Sequence, residues 1–401
     1  MHPLQIYDRR ERALVGMADR VLAAGMGLAR PFRRRRRTTP ERILLLRLER
    51  IGDLLMALPA IGDVRAALPH ARLDIVVGSW NAPLARAIRG LTTVHTLDAA
   101  WLSRGDDGLG MAALLQTARS WRGLDYDLAV NFEPDIRSNL LLAAAGARWT
   151  VGYSSGGGGP LLDQALEYNA RTHTSDNARR LVATALGAPT ASRREALLTI
   201  GSDSAGAAAG ILGEARPPLV GLHASGGREI KQWPPERFAE VGRRLIHTAG
   251  ATIVLTGSLA DRPLVEDVRR MLPAERTIDA TIAGDLLTVG AVLERLDVLV
   301  TGDTGPMHLA HAIGTPVVAV FGPSDPVRYA PGGPLDRVVR VDLPCAPCNR
   351  IRLPPERCIG HTPDCLALVT SDEVFDAVML VLENTGAVPR SKPPAGTPAG
   401  A

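Results

Sequence analysis

The chain is 401 residues long, with 46% hydrophobic and 22% charged positions, enough to bury two cores of ordinary size and too much for one. Its formal charge is only +4, and the unbroken run Arg33 to Arg37, preceded by Arg30 and Pro31, holds much of the positive excess; the rest is close to neutral, and no nucleic-acid partner is expected. No stretch approaches the roughly 20 consecutive apolar residues of a spanning helix, and a start carrying His2, Asp8, Arg9, Arg10 and Glu11 suits no secretory signal, which leaves a cytoplasmic reading.

Residues 1–40 read as an extension. Leu14, Val15, Met17, Ala18, Val21, Leu22, Met26 and Leu28 recur at helical spacing, roughly on one face, and the arginine run follows them. An amphipathic helix with a polybasic patch can lie on an anionic membrane surface, where each Arg near lipid contributes about 1 kcal/mol. The expected location is therefore peripheral to the inner face of the cytoplasmic membrane, with a solvated tail as the plain alternative. Next come the apolar runs Ile43–Leu48, Leu73–Gly78, Val94–Leu97 and Tyr126–Phe132, which predict buried strands separated by helical stretches such as Leu54–Leu68. That alternation implies a parallel α/β sheet with covered faces. The glycine-rich segment Ser154–Pro160 reads as a mobile loop.

A second series starts after a boundary within Ser192–Pro218. Leu219–Ala224, Thr252–Thr256, Val298–Thr301 and Val317–Phe321 predict strands, and helices are expected near Glu236–His247, Arg262–Met271, Leu286–Leu296 and Pro306–Ile313. Two doubly wound domains in tandem result, assigned to residues 41–195 and 196–385. The Pro-, Gly- and Ala-rich end, residues 386–401, is expected to be a disordered tail.

In such sheets ligands bind beyond the carboxyl ends of strands, where loops feed helix N-termini. Leu48-Glu49-Arg50-Ile51-Gly52-Asp53 follows the first strand. Gly52 permits a tight approach; Asp53 is either a helix cap, contributing about 1 kcal/mol, or a reactive carboxylate. After the first strand of the second series comes Ala224-Ser225-Gly226-Gly227-Arg228-Glu229-Ile230-Lys231-Gln232-Trp233-Pro234. Small residues that free backbone N–H groups, a cation and a helix opened by proline suit a phosphate, though a solvated loop has the same composition. No GxGxxG or Walker pattern is present. The third segment, Thr301-Gly302-Asp303-Thr304-Gly305-Pro306-Met307-His308, leaves a strand and opens a helix, with His308 readable as a structural histidine and His311 as packing or surface.

Taken in order, Arg47-Leu48-(x)3-Gly52-Asp53-(x)4-Leu58-Pro59, Lys231-x-Trp233-Pro234, Asp303-Thr304-Gly305-Pro306-Met307-His308 and Phe321-Gly322-Pro323 resemble the ADP-heptose:lipopolysaccharide heptosyltransferases of glycosyltransferase family 9. The resemblance spans about residues 41–385 and leaves out the N-terminal extension. It implies a GT-B fold, two Rossmann-like domains facing each other across a cleft, and inverting transfer of heptose from ADP-heptose to a lipopolysaccharide or other lipid-linked glycan acceptor. It further implies that Asp53 is the catalytic base, that Lys231 neutralises the donor diphosphate, and that Asp303, Thr304, Gly305, Pro306 and His308 form the donor-binding segment. Ser225 and Gly226 could add hydrogen bonds to phosphate, while Gly257, Ser258 and Asp261 fall on the nucleoside side. With Lys231 and a helix N-terminus for charge, no cofactor and no divalent metal are expected in catalysis.

All four cysteines lie in one segment, Cys345-x2-Cys348-x9-Cys358-x6-Cys365. A cytoplasmic location argues against disulfides, so the segment is either a tetrahedral thiolate site for structural zinc or iron, as related members of the family imply, or a reduced loop. Around Trp80, Trp101 and Glu133–Arg137 no acceptor motif is legible. Alternative readings are a related transferase with another nucleotide sugar or a protein acceptor, a nucleotide-sugar epimerase, and a non-catalytic binding protein on the same fold.

Overall fold

A computed structural model describes residues 4–29, 39–102, 108–189 and 197–389. The arginine run Arg33–Arg37, the expected boundary at 195/196 and residues 390–401 lie outside the described residues; the expected tail starts too early at 386, because Ala387 and Val388 pack on the core of the second unit. The chain divides into two compact units between Thr199 and Ile200.

In the first unit the order is α1 (Arg9–Ala29), β1 (Arg42–Leu46), α2 (Ile51–Ala67), β2 (Arg72–Val77), α3 (Ala82–Arg86), β3 (Thr93–Thr96), α4 (Met111–Ser120), β4 (Leu128–Asn131), α5 (Ile136–Ala145), β5 (Trp149–Tyr153), β6 (Gln164–Leu166) and α6 (Thr174–Leu186). The strands form one parallel sheet, β3-β2-β1-β4-β5-β6. Ile43 to Leu46 are completely buried, as a central parallel strand covered on both faces requires, and this is why β1 reads as an unbroken apolar run. Helix α2 buries Leu54, Leu55, Leu58, Ile61 and Val64, each contributing about 1.5–3 kcal/mol, and the Asp63–Arg179 ion pair at 2.7 Å ties it to α6.

Two expectations need correction here. The glycine-rich segment is buried and hydrogen-bonded rather than mobile: Asn139 Nδ2 donates to Tyr153 O at 2.8 Å and to Gly157 O at 2.9 Å, and Gly158 N donates to Asp19 Oδ1 of α1 at 2.6 Å. Nor do the apolar residues of α1 share a face. Val15, Ala18 and Leu22 turn toward the unit beside the buried Asp19, whereas Leu14, Met17 and Val21 point to solvent.

The second unit contains α7 (Ser202–Leu212), β7 (Leu219–His223), α8 (Pro235–Ala249), β8 (Thr252–Leu255), α9 (Arg262–Arg270), β9 (Thr277–Asp279), α10 (Leu286–Glu294), β10 (Val298–Gly302), α11 (Gly305–Ile313), β11 (Val317–Val320), α12 (Pro326–Tyr329), β12 (Arg337–Val339), α13 (Asp364–Ala367) and α14 (Ser371–Thr385). Its parallel sheet runs β12-β11-β10-β7-β8-β9. Val220, Leu222, Val298, Val300, Val318 and Val320 face one core with Trp233, Phe238 and the apolar side of α14. Counted within each unit, both sheets have strand order 3-2-1-4-5-6. Each is a doubly wound Rossmann-like α/β domain, as expected, and strand order reverses between β1 and β4 and again between β7 and β10. The loops leaving those four strands are where such domains take their ligands.

Candidate active site

At the reversal point of the first unit, Arg47 leaves β1 and Glu133 follows β4. The buried Arg47 guanidinium donates to Phe132 O at 2.8 Å, to Asp53 O at 3.1 Å and to Asp53 Oδ1 at 3.1 Å. Burial works against its charge, but Asp53, Glu133 and Glu49 outweigh that and hold the guanidinium above its usual range. Glu133 Oε1 accepts Leu48 N at 2.6 Å and Glu49 N at 2.9 Å, which clamps the loop ahead of α2. Burial first, then the nearby Glu49, push the Glu133 carboxyl well above the ordinary carboxylate range. Asn131 Oδ1 accepts Glu133 N at 3.0 Å, so the end of β4 is itself fastened.

Asp53 is the third residue of α2 and caps its first turn, its Oδ2 accepting Arg50 N at 3.1 Å. Its side chain nevertheless keeps 23% of its surface open. The carboxylate is thus both a cap and a reachable group held in one orientation by Arg47, the geometry a general base needs. Nearby, Trp80 Nε1 and Asn81 Nδ2 both donate to Glu49 O, at 3.0 and 2.9 Å, and the Arg137 guanidinium stacks 4.6 Å over Trp101.

At the reversal point of the second unit, Lys231 Nζ donates to Asp303 Oδ2 at 2.8 Å, and His308 Nε2 lies 3.9 Å from Asp303 Oδ1. Burial alone would raise the Asp303 pKa, but Lys231, His308 and a hydrogen bond from Ser324 together bring it below the usual carboxylate value. Lys231 is placed by its neighbours. Two residues on, Trp233 is buried against Phe238 with ring centroids 4.9 Å apart, and its Nε1 donates to Val369 O at 3.1 Å; Pro234 then precedes α8. Gly226 and Gly302 let the loops abut: a Cβ on Gly226 would stand 3.0 Å from the Lys231 carbonyl carbon, and one on Gly302 3.3 Å from Lys231 O. Thr304 caps α11 by accepting Met307 N at 3.3 Å, and its hydroxyl also meets Thr301 at 3.0 Å.

A second cluster joins the loops after β7 and β8. Ser225 Oγ donates to Asp261 Oδ1 at 2.7 Å, while Asp261 Oδ2 accepts Ser258 N at 2.9 Å and Ser258 Oγ at 2.6 Å. Burial raises the Asp261 pKa, but the Ser258 and Ser225 hydrogen bonds overcome it and bring it below the usual value. The Ser225 hydroxyl therefore faces Asp261. Gly257 packs on α9, where a Cβ would come within 2.9 Å of Val265. His311 bonds Asp336 at 2.8 Å on the surface, the packing role expected of it.

Of the expected site residues, Lys231, Asp303 and His308 come together, with Gly226, Thr304, Gly305 and Pro306 around them. Ser225, Ser258 and Asp261 form the adjoining group, and Asp53 stands in the first unit beside Arg47. The roles of Arg47, Glu133 and Asn131 emerge only from the fold; their sequence signal is a polar residue placed directly at the end of a buried strand. The cysteines are all free, Cys345 exposed and Cys365 buried. Burial, and then Cys348, Cys345 and Cys358, push the Cys365 thiol up to about 11, so the four share a neighbourhood. Among the described residues, however, no three Cys, His, Asp or Glu side chains form a set that could hold a metal ion.

The sequence profile of glycosyltransferase family 9 (heptosyltransferase) matches residues 114–357. The lipopolysaccharide core heptosyltransferase OpsX of Haemophilus influenzae is 25% identical over 308 residues, covering 75% of this chain and 85% of that protein. Among solved structures, a family 9 glycosyltransferase from Veillonella parvula superposes with a TM-score of 0.73 at 21% identity, covering 86% of this chain and 98% of that one. The ADP-heptose lps heptosyltransferase II of E. coli gives 0.69 at 20% identity, covering 86% and 99%. Since the profile match takes in more than half of the chain, the chain belongs to glycosyltransferase family 9, the heptosyltransferases.

Proposed function

We propose that the protein transfers heptose from ADP-heptose to a lipopolysaccharide inner-core acceptor with inversion at the anomeric carbon. The Lys231–Asp303–His308 cluster at the β7/β10 reversal carries the reading, because it sets a cation and a helix N-terminus beside an oriented carboxylate, a combination suited to a sugar diphosphate. Relatives named for the lipopolysaccharide core and for ADP-heptose supply the substrate class.

In this scheme an acceptor hydroxyl gives its proton to Asp53 as its oxygen attacks the anomeric carbon. The bond from that carbon to the diphosphate oxygen breaks, and ADP leaves with its developing charge met by Lys231. Asp303 holds Lys231 ready before the donor arrives and presents its second oxygen toward the sugar, while Thr304, Gly305 and His308 line the donor. Ser258 and Asp261 take the nucleoside side. Among the described residues no helix is long and apolar enough to cross a membrane; we place the enzyme at the inner face of the cytoplasmic membrane, where a lipid-linked acceptor would be presented.

Mass spectrometry of products from a panel of nucleotide sugars with truncated lipopolysaccharide acceptors tests the assignment. The expected product is acceptor carrying one added heptose, from ADP-heptose alone. Altered nucleotide sugar without acceptor would indicate an epimerase, and donor binding without turnover a binding protein; either would overturn the reading.

A further inference from the structure

Helix α1 is fixed to the first unit by Asp19 on an inward side it shares with Val15, Ala18 and Leu22, and by Gln5 just ahead of it. Asp19 is only 6% exposed and accepts Gly158 N at 2.6 Å, Gln5 N donates to Ser155 O at 2.7 Å, and Gln5 Nε2 donates to Tyr168 O at 2.8 Å. Val15 presses so closely on the loop after β5 that a Cβ on Gly157 would meet its Cγ1 at 2.2 Å, and Gly157 has φ of +91°, where glycine is favoured. The rotation of the helix is thereby set, and it turns Leu14, Met17 and Val21 outward with 63, 54 and 73% of their surface exposed. Spaced i, i+3, i+7, they form one stripe along a helix about 30 Å long.

Val15, Ala18 and Leu22 already serve the inward side, so packing within the unit does not account for a second apolar stripe on the outside of the helix. Its surroundings are cationic. Arg9, Arg10, Arg12 and Arg20 are exposed, and Glu11 is the only exposed acid of the helix among the described residues. Three side chains fall well short of the roughly 800 Å² per partner that a stable dimer buries, which disfavours a second copy. Apolar side chains flanked by arginines fit the headgroup and acyl boundary of an anionic bilayer.

We propose that the outward face of α1 seats the enzyme on an anionic lipid surface through Leu14, Met17 and Val21. The helix covers the loop leaving β5, on the carboxyl edge of the first sheet, where Asp53 and Glu133 also lie; a bilayer under α1 thus brings a lipid-linked acceptor to that edge. This last step rests on the proposed reaction, whereas the seating itself does not.

The test uses the full chain without substrates, sedimented with phosphatidylglycerol-rich or pure phosphatidylcholine vesicles. Wild type is expected to pellet with the former, and the Leu14→Gln/Met17→Gln/Val21→Gln variant to bind them at least about tenfold more weakly with an unchanged melting midpoint. Should the triple variant fail to fold, single Val21→Gln takes its place, and weaker binding than wild type is again expected. Equal binding by variant and wild type, no preference for anionic vesicles, or conversion of a dimer to a monomer by the substitutions would overturn the proposal. Transfer to a soluble, deacylated acceptor, expected to be equal in variant and wild type, tests the reaction assignment separately.

Discussion

Replacing Asp53 by Asn separates the two duties that its position combines. The substitution preserves shape and leaves an oxygen for Arg47, but it removes the charge and turns an amide toward Arg50 N, which Asp53 Oδ2 now accepts at 3.1 Å. Losing that cap contact and a charge-assisted contact at 3.1 Å costs about 1–2 kcal/mol, a fall of roughly 2–8 °C in melting midpoint for a unit of this size. The loop should survive, because Arg47 keeps Phe132 O and Asp53 O, and Glu133 still holds Leu48 N and Glu49 N. Loss of a general base costs about 10²- to 10⁴-fold in rate, far more than a shift of a few degrees removes at an assay temperature well below melting. Initial rates of heptose transfer, measured beside ADP-heptose affinity by calorimetry, decide the matter. The expected result is a fall in kcat within that range with affinity unchanged within about twofold. A rate loss below about tenfold, or one that merely follows the unfolded fraction, would show that Asp53 is a helix cap and nothing more.

The Lys231–Asp303 pair predicts a coupled response in the second unit. Lys231→Ala and Asp303→Asn should each weaken donor binding and destabilise the unit, and denaturant unfolding of the double variant should fall short of their sum by about 1–3 kcal/mol; strict additivity would mean the two groups do not interact. His223, whose pKa is lowered by burial from 6.5 to about 4, makes stability depend on pH. Below 6.5 the unfolded chain takes up a proton that the folded chain refuses until about pH 4, so stability falls across that window by up to about 3 kcal/mol. Denaturant midpoints measured against pH should flatten there in His223→Gln, and an unchanged slope would exclude His223 as the source. Asp303 acts in a lower range: its depressed pKa contributes stability above 3.8 that is lost only as pH falls further.

The central strands are readable because β1, β2, β7, β8, β10 and β11 lie covered on both faces and are mostly apolar, with Asp74 in β2 a buried exception bonded by Tyr126. Four strands lack that signal. Gln164–Leu166, Thr277–Asp279 and Arg337–Val339 are three-residue outer strands with half-exposed positions, and Trp149–Tyr153 carries a glycine that interrupts its pattern. Lys231 and Asp303 are legible separately, each in a loop with recognisable composition. Their mutual bond is not, since 72 residues divide them and only strand order brings β7 beside β10. Glu133 shows the same limit, because its partners Leu48 and Glu49 are backbone groups that composition cannot mark. For α1, spacing identifies the helix, but the turn of the helix about its axis depends on Asp19 meeting Gly158 far along the chain.

The indole of Trp233 ties the segment that carries Lys231 to a distant stretch of the chain. Trp233 Nε1 and the Arg237 guanidinium both donate to the carbonyl of Val369, directly ahead of the capping threonine of α14. The corner between α13 and α14 thus acts as a mooring for the segment that carries Lys231. Removing α14 would take away that mooring together with the part of the core that Trp233 and Phe238 share with Val374, Phe375 and Val378.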